Sequence, residues 1–207
     1  MPRPRFHKLS EEKKARILTV ATEEFAESGF EGASYNRIIE RAGLSKGAMY
    51  YYFDDKTDLY GTVVQVAFRE LLDELQPPSA PDVEAFWQEL VDAYLHFGGI
   101  AMQRPELLAL MRGLLEHPER WREGPIAELM GEMRAFTEQM IEHGQRIGAV
   151  RTDLERSLLV TVAFSVGEAV DRWSFEHLDE LVVAAPDEMP RQLVGLFRRL
   201  LEPRGEP

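Results

Sequence analysis

The chain has 207 residues, of which 44% are hydrophobic and 29% are charged, and these values are typical of a globular protein rather than a disordered one. It contains no cysteine, which excludes disulfides, thiolate metal sites and a cysteine nucleophile. The formal net charge is −12, yet residues 1–53 hold nine lysines and arginines against seven glutamates, so they carry +2 and the remainder carries −14. A polyanion would therefore dock on the N-terminal segment.

Three helices are predicted in this segment, because apolar residues recur every three or four positions and strand-like alternation is nearly absent. The first begins after Ser10, a favourable N-cap residue, and Gly29 ends it. The second begins after Ser34 and ends at Gly43. Only a three-residue turn separates it from the third helix, residues 46–53.

The rest of the chain is predicted to be helical as well. Asp54 and Asp55 offer caps for a fourth helix, and three prolines in residues 76–81 predict a loop after it. We expect an all-α fold with an N-terminal three-helix helix-turn-helix head, residues 1–55, and a helical body, residues 56–207, as separate modules. The body helices are expected to begin near Asp82, Pro105, Ile126, Leu154 and Asp187, the one at Leu154 running to about Phe175.

Two short helices joined by a glycine-containing turn are typical of a helix-turn-helix, whose second helix enters the major groove of DNA. The spacing of Met49, Tyr52 and Phe53 places these three side chains on one inner face. Small residues on the opposite face would let a duplex approach closely, while lysine and tyrosine side chains would bind phosphate. That outward face carries Lys46, Gly47, Ala48, Tyr50 and Tyr51.

Further DNA contacts are expected beside this face. They are Ser34, Tyr35, Asn36 and Arg37 at the start of the second helix, Ser45 before the third, and Lys56 at the start of the fourth. Arg3 and Arg5 either enter a minor groove or belong to a solvated tail, and the tail is the favoured interpretation.

Residues 13–60 resemble the DNA-binding head of the TetR (tetracycline-repressor) family. The resemblance lies in the spacing of Ile17-Leu18, Ala21, Phe25, Gly29-Phe30, Ile38, residues 42–47, Tyr50, Phe53, Lys56 and Leu59. It implies phosphate contacts from Ser45, Lys46, Tyr50, Tyr51 and Lys56, base contacts near Arg37, Gly47 and Ala48, a ligand-binding helical body, and a homodimer formed by the last two long helices. Ala48, where many relatives have threonine, and the bulky pair Tyr35-Asn36 depart from the family pattern and leave the operator sequence open.

Aromatic and methionine side chains are frequent in the body. Each is more often a core residue than a ligand contact, but as a group, in a helical body of the kind that the resemblance implies, they predict a pocket for a small apolar or amphipathic effector. Glu168 and Asp171 interrupt an apolar helix, and pairing with an arginine is favoured over selection of a cationic effector. The candidate pocket residues are Trp87, Tyr94, Phe97, Met111, Trp121, Met133, Phe136, Phe164 and Glu168.

No catalytic residue, metal site or cofactor is predicted, because neither the five histidines nor any glycine-rich stretch has a characteristic spacing. The predicted function is a cytoplasmic transcriptional repressor, without a membrane partner, that a small effector releases from double-stranded operator DNA. One alternative is an activator or a regulator without small-molecule control. Another is an enzyme whose helical body catalyses a reaction and whose DNA-binding head is vestigial.

Overall fold

The computed structural model describes residues 2–74, 76, 78–116, 121, 123–177 and 188–203. Its regular elements in these ranges are all α-helices, which confirms the all-α class. They are α1 (Glu11–Gly32), α2 (Tyr35–Arg41), α3 (Lys46–Tyr52), α4 (Lys56–Asp73), α5 (Val83–Gln103), α6 (Pro105–Glu116), α7 (Pro125–Arg146), α8 (Arg156–Glu176) and α9 (Glu188–Leu201). The expected start of the last helix at Asp187 lies outside the described residues.

Side-chain caps explain where several helices begin. The Asp55 carboxylate accepts a bond from the Asp58 N–H at 2.9 Å, and the Asp82 carboxylate accepts one from the Ala85 N–H at 2.9 Å. Ser10 occupies the N-cap position of α1, but its hydroxyl makes no capping bond. Gly29 interrupts α1 with a φ of +65°, a backbone conformation that glycine adopts without steric cost.

The described residues divide into two compact units. The first comprises residues 1–74 and 103–130. Its hydrophobic core is continuous from the head helices through α4 to Leu110 of α6, Trp121 and Ile126 of α7. Residues of the predicted body therefore complete the core of the predicted head. The division of function at residues 55 and 56 stays a prediction.

An aromatic cluster lies in this first unit where α1, α4 and α6 meet. Tyr60 of α4 packs against Phe25 and Phe30 of α1 at ring-centroid distances of 4.9 and 5.1 Å, and against Trp121 at 5.0 Å. The Tyr60 hydroxyl donates a 2.7 Å hydrogen bond to the carbonyl oxygen of Leu110. This bond fixes α4 to α6 inside a buried core.

The second unit comprises residues 75–102 and 131–207. Its core includes Phe86 and Trp87 of α5, Ile141 of α7 and Leu159 of α8, all of which are at most 3% exposed. The Nε2 atom of the buried His143 donates to the carbonyl oxygen of Ala80 at 2.8 Å, which holds the segment before α5 against α7. Within the described ranges, no helix is long and apolar enough to cross a membrane.

The N-terminal segment, residues 2–9, is folded onto the head. Phe6 is 3% exposed and packs against Phe53 with a ring-centroid distance of 4.8 Å. The Arg3 N–H donates to the carbonyl oxygen of Tyr52 at 2.8 Å. The solvated tail expected from the sequence is therefore wrong, because an aromatic anchor and a backbone bond order this segment.

Candidate nucleic-acid interface

The turn between α2 and α3 has the geometry of a helix-turn-helix. The Ser34 hydroxyl caps α2 by accepting a bond from the Arg37 N–H at 3.3 Å, and the Ser45 hydroxyl caps α3 by accepting one from the Ala48 N–H at 3.1 Å. Gly43 has a φ of +69°, and a Cβ atom at this position would come within 2.9 Å of the Arg16 guanidinium. Glycine is therefore favoured by the backbone conformation, whereas the Arg16 guanidinium lies at the end of a flexible side chain that could shift.

Helix α3 divides sharply into a buried and an exposed face. Met49 and the following Phe53 are fully buried, and Tyr52 is half-buried. Tyr50 and Tyr51 are 41% and 45% exposed. We call the exposed face the recognition surface. It consists of Lys46, Gly47, Ala48, Tyr50 and Tyr51, of which Ala48 is half-buried and the others are exposed.

Tyr35 supports the recognition surface from α2. Its ring lies edge-on to that of Tyr50, with 5.4 Å between the centroids. Burial, followed by the proximity of Tyr50 and Asp55, raises the pKa of the Tyr35 hydroxyl, so this group stays protonated. The hydroxyl is buried and finds no hydrogen-bond acceptor among the described residues. Asn36, beside it, is exposed.

Arg37 is held by a buried carboxylate that the sequence-based interpretation missed. Its Nη1 donates to Glu24 Oε1 at 2.9 Å, and the Ser34 N–H donates to the same oxygen at 2.9 Å. Glu24 is 0% exposed, whereas the Arg37 side chain is 55% exposed. Arg41 pairs with Glu23 on the same side. One edge of the Arg37 guanidinium is therefore fixed to α1, and the rest faces outward.

Lys56 forms contacts within the head. Its ammonium donates to the carbonyl oxygens of Glu31 and Ala33, both at 3.1 Å, and lies 4.7 Å from the centroid of the Phe30 ring. These bonds satisfy carbonyl groups at the end of α1 and fix the start of α4 there. A phosphate contact from Lys56 stays a prediction, and it would have to use the remaining N–H.

The structure distributes the candidate pocket residues over both compact units. Met111 and Trp121 lie in the first unit, where Trp121 is 7% exposed inside the aromatic cluster. Trp87, in the second unit, is a core residue at 3% exposure. Five candidates in the second unit are half-buried: Tyr94, Phe97, Met133, Phe136 and Phe164. The pocket assignment stays a prediction.

The carboxylates of α8 have different surroundings. Glu168 is exposed, in a surface depression whose six lining residues all come from α8. Burial and the neighbouring Glu168 raise the pKa of Asp171 to about 6, and the Asp171 charge adds to the effect of burial in raising the pKa of Tyr94. The favoured arginine pairing is not observed, because no described arginine forms an ion pair with Glu168 or Asp171.

Two features of the head were missed because they depend on contacts distant in sequence. From the sequence, Glu24 resembles an exposed helical glutamate. In the structure, Ser34 and Arg37 both donate hydrogen bonds to its carboxylate. Phe6 and Leu9, three residues apart near the N-terminus, were the available signal for a folded N-terminal segment.

Comparisons with known proteins agree with this architecture. The sequence model for the family "Bacterial regulatory proteins, tetR family" matches residues 17–63. The chain is 29% identical over 151 residues to the HTH-type transcriptional repressor SCO4008 of Streptomyces coelicolor, covering 72% of this chain and 68% of that protein. The similarity to this relative is thus longer than residues 17–63, which the family model matches.

Two solved structures show the same fold. One is a TetR family transcription regulator from Shewanella sp. PV-4, with a TM-score of 0.65 and 21% identity over 93% of this chain and 99% of that one. The other is the transcriptional regulator FadR from Bacillus subtilis in complex with stearoyl-CoA, with a TM-score of 0.62 and 15% identity over 88% of this chain and 96% of that one.

Proposed function

Because the chain belongs to the TetR family of transcriptional regulators, we propose that it binds double-stranded operator DNA as a homodimer and represses transcription until a small effector releases it. The division of function at residue 55 is part of this proposal. Residues 1–55 bind DNA, and residues 56–207 bind the effector and form the dimer. Because operator DNA is the proposed partner, the proposed location is the cytoplasm.

The recognition surface is the observation that carries the proposal. A short helix that is anchored in the core by the fully buried Met49 has no structural need for a lysine, two small residues and two exposed tyrosines on its outer face. Lysine and tyrosine donors suit phosphate oxygens, and the small residues allow the helix backbone to lie close to the base edges. The +2 charge of residues 1–53 favours this segment over the acidic remainder for contact with DNA.

Exposed apolar residues on α8 and α9 support the homodimer. Leu158 and Trp173 of α8 are 48% and 46% exposed, and Leu196 of α9 is 45% exposed. A two-fold dimer can place two recognition helices about 34–36 Å apart, which matches successive major grooves. Light scattering should report a dimer, and Leu158→Glu should convert it to monomers; a monomeric wild-type chain at micromolar concentration would contradict the scheme.

The effector is proposed to be apolar or amphipathic. The half-buried aromatic and methionine residues of α5, α7 and α8 support this, as does the likeness in fold to FadR, which binds stearoyl-CoA. An effector that binds better to a body conformation unsuited to DNA must weaken DNA binding, and DNA must weaken effector binding by the same factor.

Selection of bound sequences from a random DNA pool tests the DNA-binding part. We expect enrichment of a pseudo-palindromic site, and failure to enrich any sequence would overturn the proposal. Calorimetry with stearoyl-CoA and with tetraphenylphosphonium, a lipophilic cation, then tests the effector. A bound probe should lower operator affinity in fluorescence anisotropy; binding of either probe without any effect on DNA affinity would refute release by that class of compound.

The carboxylates of α8 define one finer possibility for the effector. If Asp171 or Glu168 selects a cation, tetraphenylphosphonium should bind more weakly to the Asp171→Asn or Glu168→Gln variant, whereas stearoyl-CoA should not. Equal binding of the cation to the wild-type chain and to both variants would exclude this selection.

A further inference from the structure

The folded N-terminal segment brings an arginine to the edge of the recognition surface. The Arg5 guanidinium carbon lies 3.9 Å from the centroid of the Tyr51 ring, which is cation–π contact distance. Tyr51 belongs to the recognition surface and is 45% exposed, and Arg5 is exposed as well. A positive charge is therefore added beside a tyrosine that we propose as a phosphate contact.

Several contacts hold the segment in place, so that the position of Arg5 follows from its neighbours. The buried Phe6 anchors it in the core of the head. Arg3 donates from Nε to the Asp54 carboxylate at 2.9 Å. Backbone bonds from Phe6 to Arg3 at 2.8 Å and from Lys8 to Arg5 at 3.2 Å close two consecutive turns. These contacts restrict the backbone on both sides of Arg5.

The two arginines of the segment differ in whether their charge is neutralised. Arg3 forms an ion pair with Asp54. Arg5 forms no ion pair with any described residue, and its contact is with the face of the Tyr51 ring. A guanidinium that stacks on an aromatic ring keeps the N–H donors along its edge free, and those donors match the geometry of phosphate oxygens.

We propose that Arg5 is a further DNA-binding residue, which contacts a backbone phosphate while Tyr51 holds its guanidinium in position. The inference rests on the proposed function, since it assumes that the recognition surface docks on a duplex. The ordered segment lowers the entropy cost of this contact, because the side chain is stacked before DNA arrives. A phosphate is the expected target, because the arginine adjoins a tyrosine at the edge of the surface rather than the glycine and alanine at its centre.

Fluorescence anisotropy with the selected operator, repeated over a series of salt concentrations, tests this inference. Arg5→Gln should weaken binding by at least about tenfold, because each of the two protomers loses one charge-assisted contact. The slope of log K against log salt should fall by about 1.8, because each of the two protomers loses one phosphate contact worth about 0.9. Arg112→Gln is the matched control, because it removes one positive charge from an exposed position of α6 and should leave both quantities unchanged.

A double-mutant cycle tests the role of the Tyr51 ring. In the Tyr51→Leu background the effect of Arg5→Gln should shrink, because the stacking ring is gone; in the Tyr51→Phe background it should persist. An Arg5→Gln effect of the same size in all three backgrounds would refute the positioning role. Unchanged far-UV circular dichroism will confirm that each variant is folded.

The outcomes separate this inference from the proposed function. If Lys46→Ala weakens binding and Arg5→Gln changes neither affinity nor salt slope, the inference is wrong while the recognition surface stands. If neither variant affects binding, the proposed docking of α3 fails. If Arg5→Gln changes the preferred sequence but not the salt slope, Arg5 reads a base edge and the phosphate assignment is overturned.

Discussion

Helices α3 and α8, which belong to different compact units, both bury one face and expose aromatic or apolar residues on another. On α3 the buried residue is Met49 and the exposed ones are Tyr50 and Tyr51, next to a lysine and two small residues. On α8 the exposed residues are Leu158, which precedes the buried Leu159, and Trp173, whose ring stacks on that of His177 with 4.7 Å between the centroids. In the proposed function, the lysine and small residues beside the α3 tyrosines face a polyanion, whereas the exposed residues of α8 face a second copy of the chain.

The largest expected effect concerns the two faces of the α3 region. Substitutions on the buried face should lower stability strongly, whereas substitutions on the recognition surface should lower it little. Phe53→Ala removes a fully buried ring and should lower the free energy of unfolding by about 3–5 kcal/mol. Tyr51→Ala removes an exposed ring and should cost about 1 kcal/mol or less, the value of its cation–π contact. Urea unfolding followed by circular dichroism measures both; equal losses would contradict the division into faces.

In the second unit, the half-buried carboxylate of Asp171 on α8 should make stability depend on pH. The pKa of Asp171 in the folded chain is about 6, against an ordinary value of 3.8, so the folded state binds this proton more tightly than the unfolded state. Its contribution is therefore fully present below about pH 4 and is lost as the pH rises through 6. Asp171→Asn should raise the free energy of unfolding at pH 8 by up to about 3 kcal/mol and change little at pH 4.

Glu168→Gln is the control for this pH effect, because Glu168 is exposed on the same helix. It should alter stability by no more than about 0.5 kcal/mol at either pH. A gain from Asp171→Asn that is equal at pH 4 and pH 8 would show that desolvation of the carboxylate is not its cause.

Substitution of two helical glycines tests how tightly each helix is packed: Gly113 on α6 in the first unit and Gly131 on α7 in the second. A Cβ atom on Gly113 would overlap the Tyr60 hydroxyl, so Gly113→Ala must displace the tyrosine from its bond to Leu110 and should cost about 2 kcal/mol. A Cβ atom on Gly131 meets nothing within 4 Å, so Gly131→Ala should gain about 0.5–1 kcal/mol. Thermal unfolding measures both; a gain in both variants would mean that α6 can move away from α4.

The smallest expected effects are those of substituting two lysines of the head, Lys46 and Lys56. Lys46→Ala should weaken operator binding by about tenfold and lower its salt slope by about 1.8, because each of the two protomers loses one phosphate contact. Lys56→Ala should lower stability by about 1 kcal/mol, because two backbone carbonyls lose their donor. Anisotropy and urea unfolding of both variants test this; unchanged DNA binding by Lys46→Ala would refute the docking of the recognition surface.

Local features of the head were predictable because they depend on residues close together in sequence. The caps Ser34, Ser45 and Asp55, and the left-handed glycine Gly43, all lie where the sequence predicts them. The periodicity of α3 predicts the burial of Met49 correctly, because a seven-residue helix can turn only one face to the core.

The candidate pocket was far less predictable from the same kind of pattern. An aromatic residue on a helical stripe fits a core and a ligand site equally well, and Trp87 and Trp121 prove to be core residues. The surroundings of Asp171 could not be predicted from the sequence either. Its partial burial and its effect on Tyr94 of α5 depend on how α5 and α8 pack, and no ion pair to it is observed among the described residues.

The sequence by itself determined the helices, their caps, the uneven distribution of charge and the outward face of α3, because each of these follows from residues within a few turns of one another. Only the tertiary structure decided that Phe6 anchors Arg5 beside Tyr51 and that α6 completes the core of the head. It also decided that Glu24 holds Arg37. These contacts join residues that periodicity does not relate, and their free energy comes from burial and pairing, which exist only after the chain has folded.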